Sequence, residues 1–387
     1  MRMDKFSSLA QARQMQGRLL SWLIDDAYPV WATAGFDSRH RAFNERLIPD
    51  SAPLAEPRRA RVQTRQIYAY ARAANLGWRG DARSLVEAAL SYFRRHYQRD
   101  DGLFRTLVAA DGAVLDDRVL LYDQAFALLA LASCQEALGT TPQIIAWGVE
   151  LRTRVIERLR RPDGGFDSGV PDRTPLLANP HMHLLEAARA WKAINADPAW
   201  GALADEICGI ALAQFIDRET GALAELFDQR WQPLPDATPG QAIEPGHQFE
   251  WAWLLLCQDP TPGSPTRDAA ERLFEIGENH GVKGGVAINS LGADFRVKDP
   301  AARLWPQTER LKAACRLGAL SGEERYWSSA LGAAQGLWRF LDHGARGLWY
   351  DKIDREGKFV VEPSPASSFY HIICAIAEFG DALAARE

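Results

Sequence analysis

Six short glycine-centred segments recur along the chain and constrain its fold more than any other feature. They are AGFDSR at Gly35, DGLFRT at Gly102, GGFDSG at Gly165, GALAELFD at Gly221, GGVAINS at Gly285 and GLWYDK at Gly347, separated by 67, 63, 56, 64 and 62 residues. Self-similarity at a nearly fixed period marks repeated supersecondary units. Between the glycines, segments such as LYDQAFALLALASCQEAL, SLVEAALSYFRRHY and HMHLLEAARAWKAI carry apolar residues at i, i+3, i+4 and i+7, the pattern of amphipathic helices. One period has room for two helices of about 15 residues and two connections. Extended runs are scarce, and pairs such as GLWYDKID…GKFVVE predict small hairpins in the loops. Six helical hairpins make twelve helices. Closed into an (α/α)6 barrel, six inside six, they cover every apolar face without the terminal caps that an open α-solenoid, the alternative, needs. The expected class is all-α, one barrel domain over residues 1–387. Each glycine, behind a helix and before an extended stretch, is expected at the left-handed C′ position. The six loops should then share one end of the barrel, where a pocket can open.

The 387 residues are 47% apolar and 25% charged, with a formal net charge of −5. A large core is available, and nothing argues for a nucleic-acid partner. No run of about 18 apolar residues exists, so no membrane span is expected. The N-terminus, MRMDKFSSLAQARQMQGRLLSWLI, lacks the apolar core of a secretory signal. Cys134, Cys208, Cys257, Cys315 and Cys374 each lie in an apolar helical run, without a CxxC pair. They read as buried free thiols in a reducing, cytoplasmic compartment, too inert for catalysis.

Of eight histidines, His40, His96, His280 and His343 sit among charges and read as surface. His181, His183, His247 and His371 instead begin apolar runs, each just after a Pro- or Ser-containing segment. In the repeat frame these helices are equivalent, so their N-termini fall at one end of the barrel and three imidazoles point into one mouth. A lone histidine at a helix start is more often a packing or capping residue; recurrence at equivalent places favours function. A helix N-terminus disfavours imidazolium. Neutral imidazole is the form a general base needs, and its ordinary pKa near 6.5 places the loss of activity there on acidification. Glu250 lies three residues after His247 in EPGHQFEWAWLLL and on the same helix face. It is expected to orient the ring and stabilise its protonated form; a cap or surface pair is the alternative. A metal site has less support, because His181 and His183 diverge on a helix and HQFE lacks the second histidine of HExxH. No metal or other cofactor is expected.

Six stretches, in order, resemble the N-acylglucosamine 2-epimerase superfamily: QTRQIYAYA around Arg65, LYDQAFALLA around Tyr122, NPHMHLLEA around His183, EPGHQFEWAWLL with His247 and Glu250, LWPQTERLKA around Trp305, and SSFYHIICA around His371. The resemblance implies an (α/α)6 barrel and proton transfer at the carbon beside a sugar's anomeric carbon, through a cis-enediolate. It implies that His371 is the C2 base and His247, held by Glu250, a second acid/base. His183 would polarise the carbonyl or ring oxygen, and Arg65 would stabilise the enediolate with its fixed charge. Tyr122, Asn179, Trp305, Gln307 and Glu309 would line the pocket.

Within that superfamily, cellobiose epimerases carry a tryptophan before the last histidine, where this chain reads EPSPASSFYH. The difference favours a monosaccharide, and the resemblance is to the mannose isomerase branch: interconversion of D-mannose and D-fructose, with lyxose as a related substrate. A mannose 2-epimerase uses the same residues. Arg296, Lys298 and Arg303, near Trp305, leave a phosphorylated sugar open. No loop is assignable to an acetamido group or a nucleotide. A glycoside hydrolase on the same barrel would need two carboxylates, with Asp123, Asp167 and Glu250 as candidates, but would give the histidines no task; a non-catalytic sugar- or protein-binding barrel is a further alternative. A monomer or homodimer is expected.

Overall fold

The computed structural model describes residues 4–171 and 175–386. Helix α1 (Asp4–Ser21) runs through a π-helical stretch (Trp22–Ala27) into α2 (Tyr28–Thr33), making one rod. There follow α3 (Ala60–Ala71), α4 (Ala82–Tyr97), α5 (Leu121–Leu138), α6 (Pro142–Leu159), α7 (Ala178–Ile194) and α8 (Ala199–Ile210). The chain continues with α9 (Pro245–Gln258), α10 (Pro265–Gly281), α11 (Trp305–Ser321), α12 (Glu324–Leu341) and α13 (Ser367–Ala384). Helices α3, α5, α7, α9, α11 and α13 pack side by side in that order, and α13 returns to α3. The remaining helices and the α1–α2 rod pack outside them. The architecture is the (α/α)6 barrel expected from six repeats.

The two rings differ for a physical reason. Outer α4 exposes Arg83, Glu87, Ser91 and Arg95 and buries Val86, Ala89, Leu90 and Phe93. Inner α5 has no solvent face, and every residue from Asp123 to Gln135 is buried; such a helix belongs inside. Their starts differ as well. The side chains of Asp81, Thr141 and Ser264 cap α4, α6 and α10, accepting from the N–H groups of Ser84, Ile144 and Arg267 at 3.0, 3.2 and 3.2 Å, which satisfies orphan donors locally. The inner helices have no side-chain cap. Loop carbonyls serve instead: Ala60 donates to Thr106, Leu121 to Ser168, Ala178 to Glu225, Leu304 to Asp351 and Ala366 to Glu45, at 2.9–3.1 Å. The last bond ties the end of the barrel to its first loop.

All six long loops run from an outer helix to the next inner helix, so they gather at one end. Hairpins within loops occur, as between Val282–Lys283 and Val286–Ala287. More of the short strands pair between neighbouring loops: Arg58–Arg59 with Leu107–Val108, Val119–Leu120 with Gly169–Val170, and Leu176–Leu177 with Leu226–Phe227. Ile243 bridges to Leu291, Ala302–Arg303 pairs with Lys352–Ile353, and Ser364–Pro365 returns to Arg46–Leu47. A circle of backbone bonds thus closes the mouth, which the expected hairpins alone would not do. The glycines also sit differently from expectation. Five of the six have positive φ and Gly35 does not. Those five lie in tight turns beyond the helix end rather than at C′, as where Gly102 donates to Arg99 inside the bridge Gln98–Phe104, while Gly35 directly follows the Ala34 C-cap of α2.

A buried side chain near the start of each of five inner helices braces its own loop. Gln63 bonds both backbone groups of Phe43, Gln124 those of Phe104, Gln248 those of Leu223 and Gln307 those of Ala287, at 2.7–3.0 Å. In α7 the brace is His181, whose Nε2 accepts from Phe166 at 2.9 Å. Ahead of α13, the Ser364 hydroxyl performs both bonds to Trp349.

Candidate active site

A helix turns about 100° per residue, so residues two before and two after a loop-facing brace point back to the barrel axis, one turn apart. The deeper positions carry Arg65, Phe126, His183, Glu250 and Glu309, joined by His371 of α13. The shallower ones carry Tyr122, Asn179 and Trp305. Arg65, Tyr122, Asn179, His183, His247, Glu250, Trp305 and His371 line one cavity of about 390 Å³. It opens into an outer chamber of about 510 Å³ through Arg65, Tyr122, Asn179, Glu244 and His247. The structure brings His183, His247, His371 and Arg65 into this one cavity.

His371 lies against Glu309, with Nδ1 2.8 Å from Oε1. The other Glu309 oxygen meets the buried Lys312 ammonium at 2.6 Å. Burial works against a charged Glu309, but Lys312 and His371 hold it down at about 2. An ionised carboxylate only accepts, so Nδ1 of His371 carries the proton and Nε2 keeps a bare lone pair. Burial lowers His371 to about 4 despite Glu309. The ring is neutral at pH 7 and in the tautomer of a base.

His247 is different. Its Nδ1 lies 2.9 Å from Glu225 and 3.7 Å from Glu244. Burial alone would depress it, yet these two carboxylates raise it to about 9. The expected neutral imidazole is therefore an imidazolium, because two near charges outweigh both desolvation and the helix end. Its Nε2 is 3.0 Å from the Asn179 amide, whose Oδ1 has no other partner. With Nε2 protonated, that oxygen belongs on the histidine side. The ring also packs on Trp305, centroids 4.9 Å apart.

Glu250 does not orient His247. One turn deeper, it sits 3.9 Å from His183 Nδ1, while loop residue Glu225 takes the place expected for it. Burial, then repulsion from Glu309, raises Glu250 well above the usual carboxylate range, so it is a neutral acid. His183 is buried, with Nδ1 3.6 Å from Glu186, and burial lowers it to about 4. Arg65 is 6% exposed. It donates to Tyr122 Oη at 2.6 Å and to the Ser367 carbonyl at 3.4 Å, and it lies over Phe126 at 4.3 Å. No carboxylate among the described residues lies within salt-bridge distance of it, so its charge is free for an anionic group in the cavity.

Two residues expected to line the pocket do something else. Gln307 is a loop brace, fully buried, and Glu309 stands behind His371 rather than at the cavity surface. Arg303 reaches the cavity, paired with Glu244 at 3.1 Å, whereas Arg296 and Lys298 line neither chamber. Of the hydrolase candidates, Asp123 is buried against Thr106 and Asp167 is paired with Arg161; neither lines the cavity. His181 is a brace. The cysteines are free, four buried and Cys257 half-buried. Ligand atoms of Glu250, Glu309 and His371 lie within 4.8 Å of one another, a spacing a cation can use. Lys312 already supplies the cation there, which weakens these donors as a metal site.

Glu225, Glu244, Lys312 and Glu186 were missed from sequence. Glu225 had a signal: it stands two residues beyond the braced Leu223, where the other loops carry Glu45, Thr106, Ser168, Asn289 and Asp351, all polar.

The sequence profile of the N-acylglucosamine 2-epimerase (GlcNAc 2-epimerase) family matches residues 43–375. The chain belongs to this family. A protein of Rhizobium meliloti named mannose-6-phosphate isomerase is 46% identical over 95% of this chain and 97% of its own. A D-mannose isomerase of Thermobifida fusca is 30% identical over 66% of this chain and 67% of its own. A crystal structure of D-mannose isomerase superposes with a TM-score of 0.86, covering 94% of this chain and 97% of that one at 22% identity. This member of the family is thus a sugar isomerase or epimerase. Among the described residues, no helix is long and apolar enough to cross a membrane.

Proposed function

We propose that this family member is an aldose–ketose isomerase interconverting D-mannose and D-fructose, with lyxose as a related substrate. The observation that carries the reading is the pairing of a neutral His371, its Nδ1 held by ionised Glu309, with an ion-pair-free Arg65 in one cavity. The His247 imidazolium gives its Nε2 proton to the ring oxygen as the C1–O5 bond breaks, takes up the O1–H proton as the C1 carbonyl forms, and then hydrogen-bonds the carbonyl oxygen, drawing charge toward O1. Nε2 of His371 takes the C2 proton. The electron pair moves into a C1–C2 double bond, and the enediolate oxygens meet the Arg65 fork, an interaction of the kind worth about 3–4 kcal/mol. His183, with Nδ1 toward Glu186, presents a bare Nε2 that accepts the O2 proton and passes it to O1. The carbonyl-polarising role thus falls to His247. His371 returns its proton to C1, completing the ketose. Neutral Glu250 donates a hydrogen bond from the floor, Trp305 meets a C–H face of the sugar, and Tyr122 and Asn179 hold hydroxyls. The reaction needs no metal, since Arg65 supplies the positive charge. The chain acts as one catalytic barrel domain.

A second reading, the same chemistry on mannose 6-phosphate, is favoured by the Rhizobium meliloti relative's name and by Arg61. This arginine lines the outer chamber, is 30% exposed, and among the described residues has one long ion pair, 3.8 Å to Asp123, with its guanidinium 5.6 Å from the Tyr122 ring. One experiment addresses both readings: incubate mannose and its 6-phosphate separately in deuterated water and follow the products by NMR. Ketose carrying deuterium at C1 supports isomerisation, and the substrate with the larger kcat/KM identifies the sugar. Glucose deuterated at C2 without ketose would instead make it a 2-epimerase.

A further inference from the structure

At the opposite end of the barrel, a cavity of about 500 Å³ lies among the C-terminal halves of the inner helices. It shares no lining residue with the two chambers of the mouth. Three guanidiniums reach it, from Arg72, Arg189 and Arg316. Arg72 is met by Glu136 at 3.2 Å and Arg316 by Glu378 at 2.9 Å. Arg189 bonds only the amide oxygen of Gln258, at 2.9 Å, and among the described residues no carboxylate lies within salt-bridge distance of it. Burial disfavours its charge, and Arg316 repels it.

The neutral groups point the same way. Gln135 is nine-tenths buried on this wall, and neither atom of its amide has a partner. The Trp253 indole N–H and the Nε–H groups of Arg72 and Arg316 are likewise unbonded. The remaining wall carboxylate, Glu186, is committed to Tyr370 and His183. Unmet donors and one unmatched positive charge around a half-open cavity call for an occupant rich in acceptor oxygens and negatively charged.

We propose that this cavity binds a small oxyanion, a metabolite bearing a carboxylate or a phosphate, at a site separate from the sugar cavity. Arg189 supplies the charge and Gln135 and Trp253 the neutral donors. The site stands apart from the reaction proposed above, so failure of either leaves the other intact.

The test is isothermal titration of the full-length protein with inorganic phosphate and, separately, with malonate. Saturable one-to-one binding of either anion is expected, and the anion that binds more tightly assigns the class. Arg189→Gln should weaken it at least about tenfold, while Arg65→Gln at the mouth should leave it within about threefold. Gln135→Leu keeps every guanidinium and removes the unbonded amide, so it serves if Arg189→Gln does not fold; it should also weaken binding. Absence of saturable binding by both anions overturns the proposal. So does unchanged affinity in whichever of the two base variants fold, or a loss in Arg65→Gln as large as theirs.

Discussion

Two walls of the cavity at the barrel mouth each set a histidine against a carboxylate, yet the rings differ in charge. On one wall His371 faces Glu309, behind which Lys312 lies buried at 2.6 Å. On the other, His247 faces Glu225 and Glu244, with no lysine paired to them among the described residues and Arg303 shared with Glu244. The first wall neutralises its own carboxylate, and burial then decides, leaving imidazole. The second presents two negative charges to one ring, and they outweigh burial. The charge of the whole shell, rather than the presence of an acidic partner, sets protonation. The cavity thereby keeps a base and an acid side by side at pH 7, with pKa values of about 4 and about 9, a division of labour that proton transfer needs.

Substitutions break this contrast to different degrees. The largest effect is expected from His371→Asn, which removes the base and should lower kcat/KM by about a thousandfold. Turnover within tenfold of the parent would remove His371 from the reaction. Glu225→Gln should act through pH. The parent kcat/KM should fall below pH about 4, as His371 gains its proton, and above pH about 9, as His247 loses its own. In the variant the alkaline fall should begin at lower pH and the acid limb stay in place, with activity at pH 6.5 within about threefold. An unmoved alkaline limb would detach His247 from Glu225. Smallest in rate is Gln307→Leu, which touches neither wall. It leaves the Ala287 N–H and carbonyl unpaired, costing about 2–5 kcal/mol of stability by denaturant midpoint, with kcat/KM within about tenfold. A larger rate loss without a stability loss would return Gln307 to the pocket.

The barrel was legible because its repeat is long and regular: one apolar helix pair per glycine loop leaves few ways to bury six faces. His183, His247 and His371 could be gathered by the same logic, as repeat-equivalent starts of inner helices. Their protonation could not. Glu225 arrives from a loop 22 residues before His247, and Lys312, in TERLKAACRLG, has the spacing of any helical lysine. The choice of Glu250 as the partner of His247 rested on i,i+3 proximity, which ignores that one turn separates the rim from the floor. Gln307 failed for a related reason. The glutamines at Gln63, Gln124, Gln248 and Gln307 form a series, and a residue type repeated at one helical position under the loops serves the repeat rather than the substrate.

The central claim is that His371 and His247 differ in charge across one cavity. Nitrogen-15 NMR of histidine-labelled protein at pH 7, with His371→Asn and His247→Asn for assignment, reads it directly. The account predicts a neutral His371 with the proton on Nδ1 and a doubly protonated His247. Two rings titrating together near pH 6.5 would contradict it.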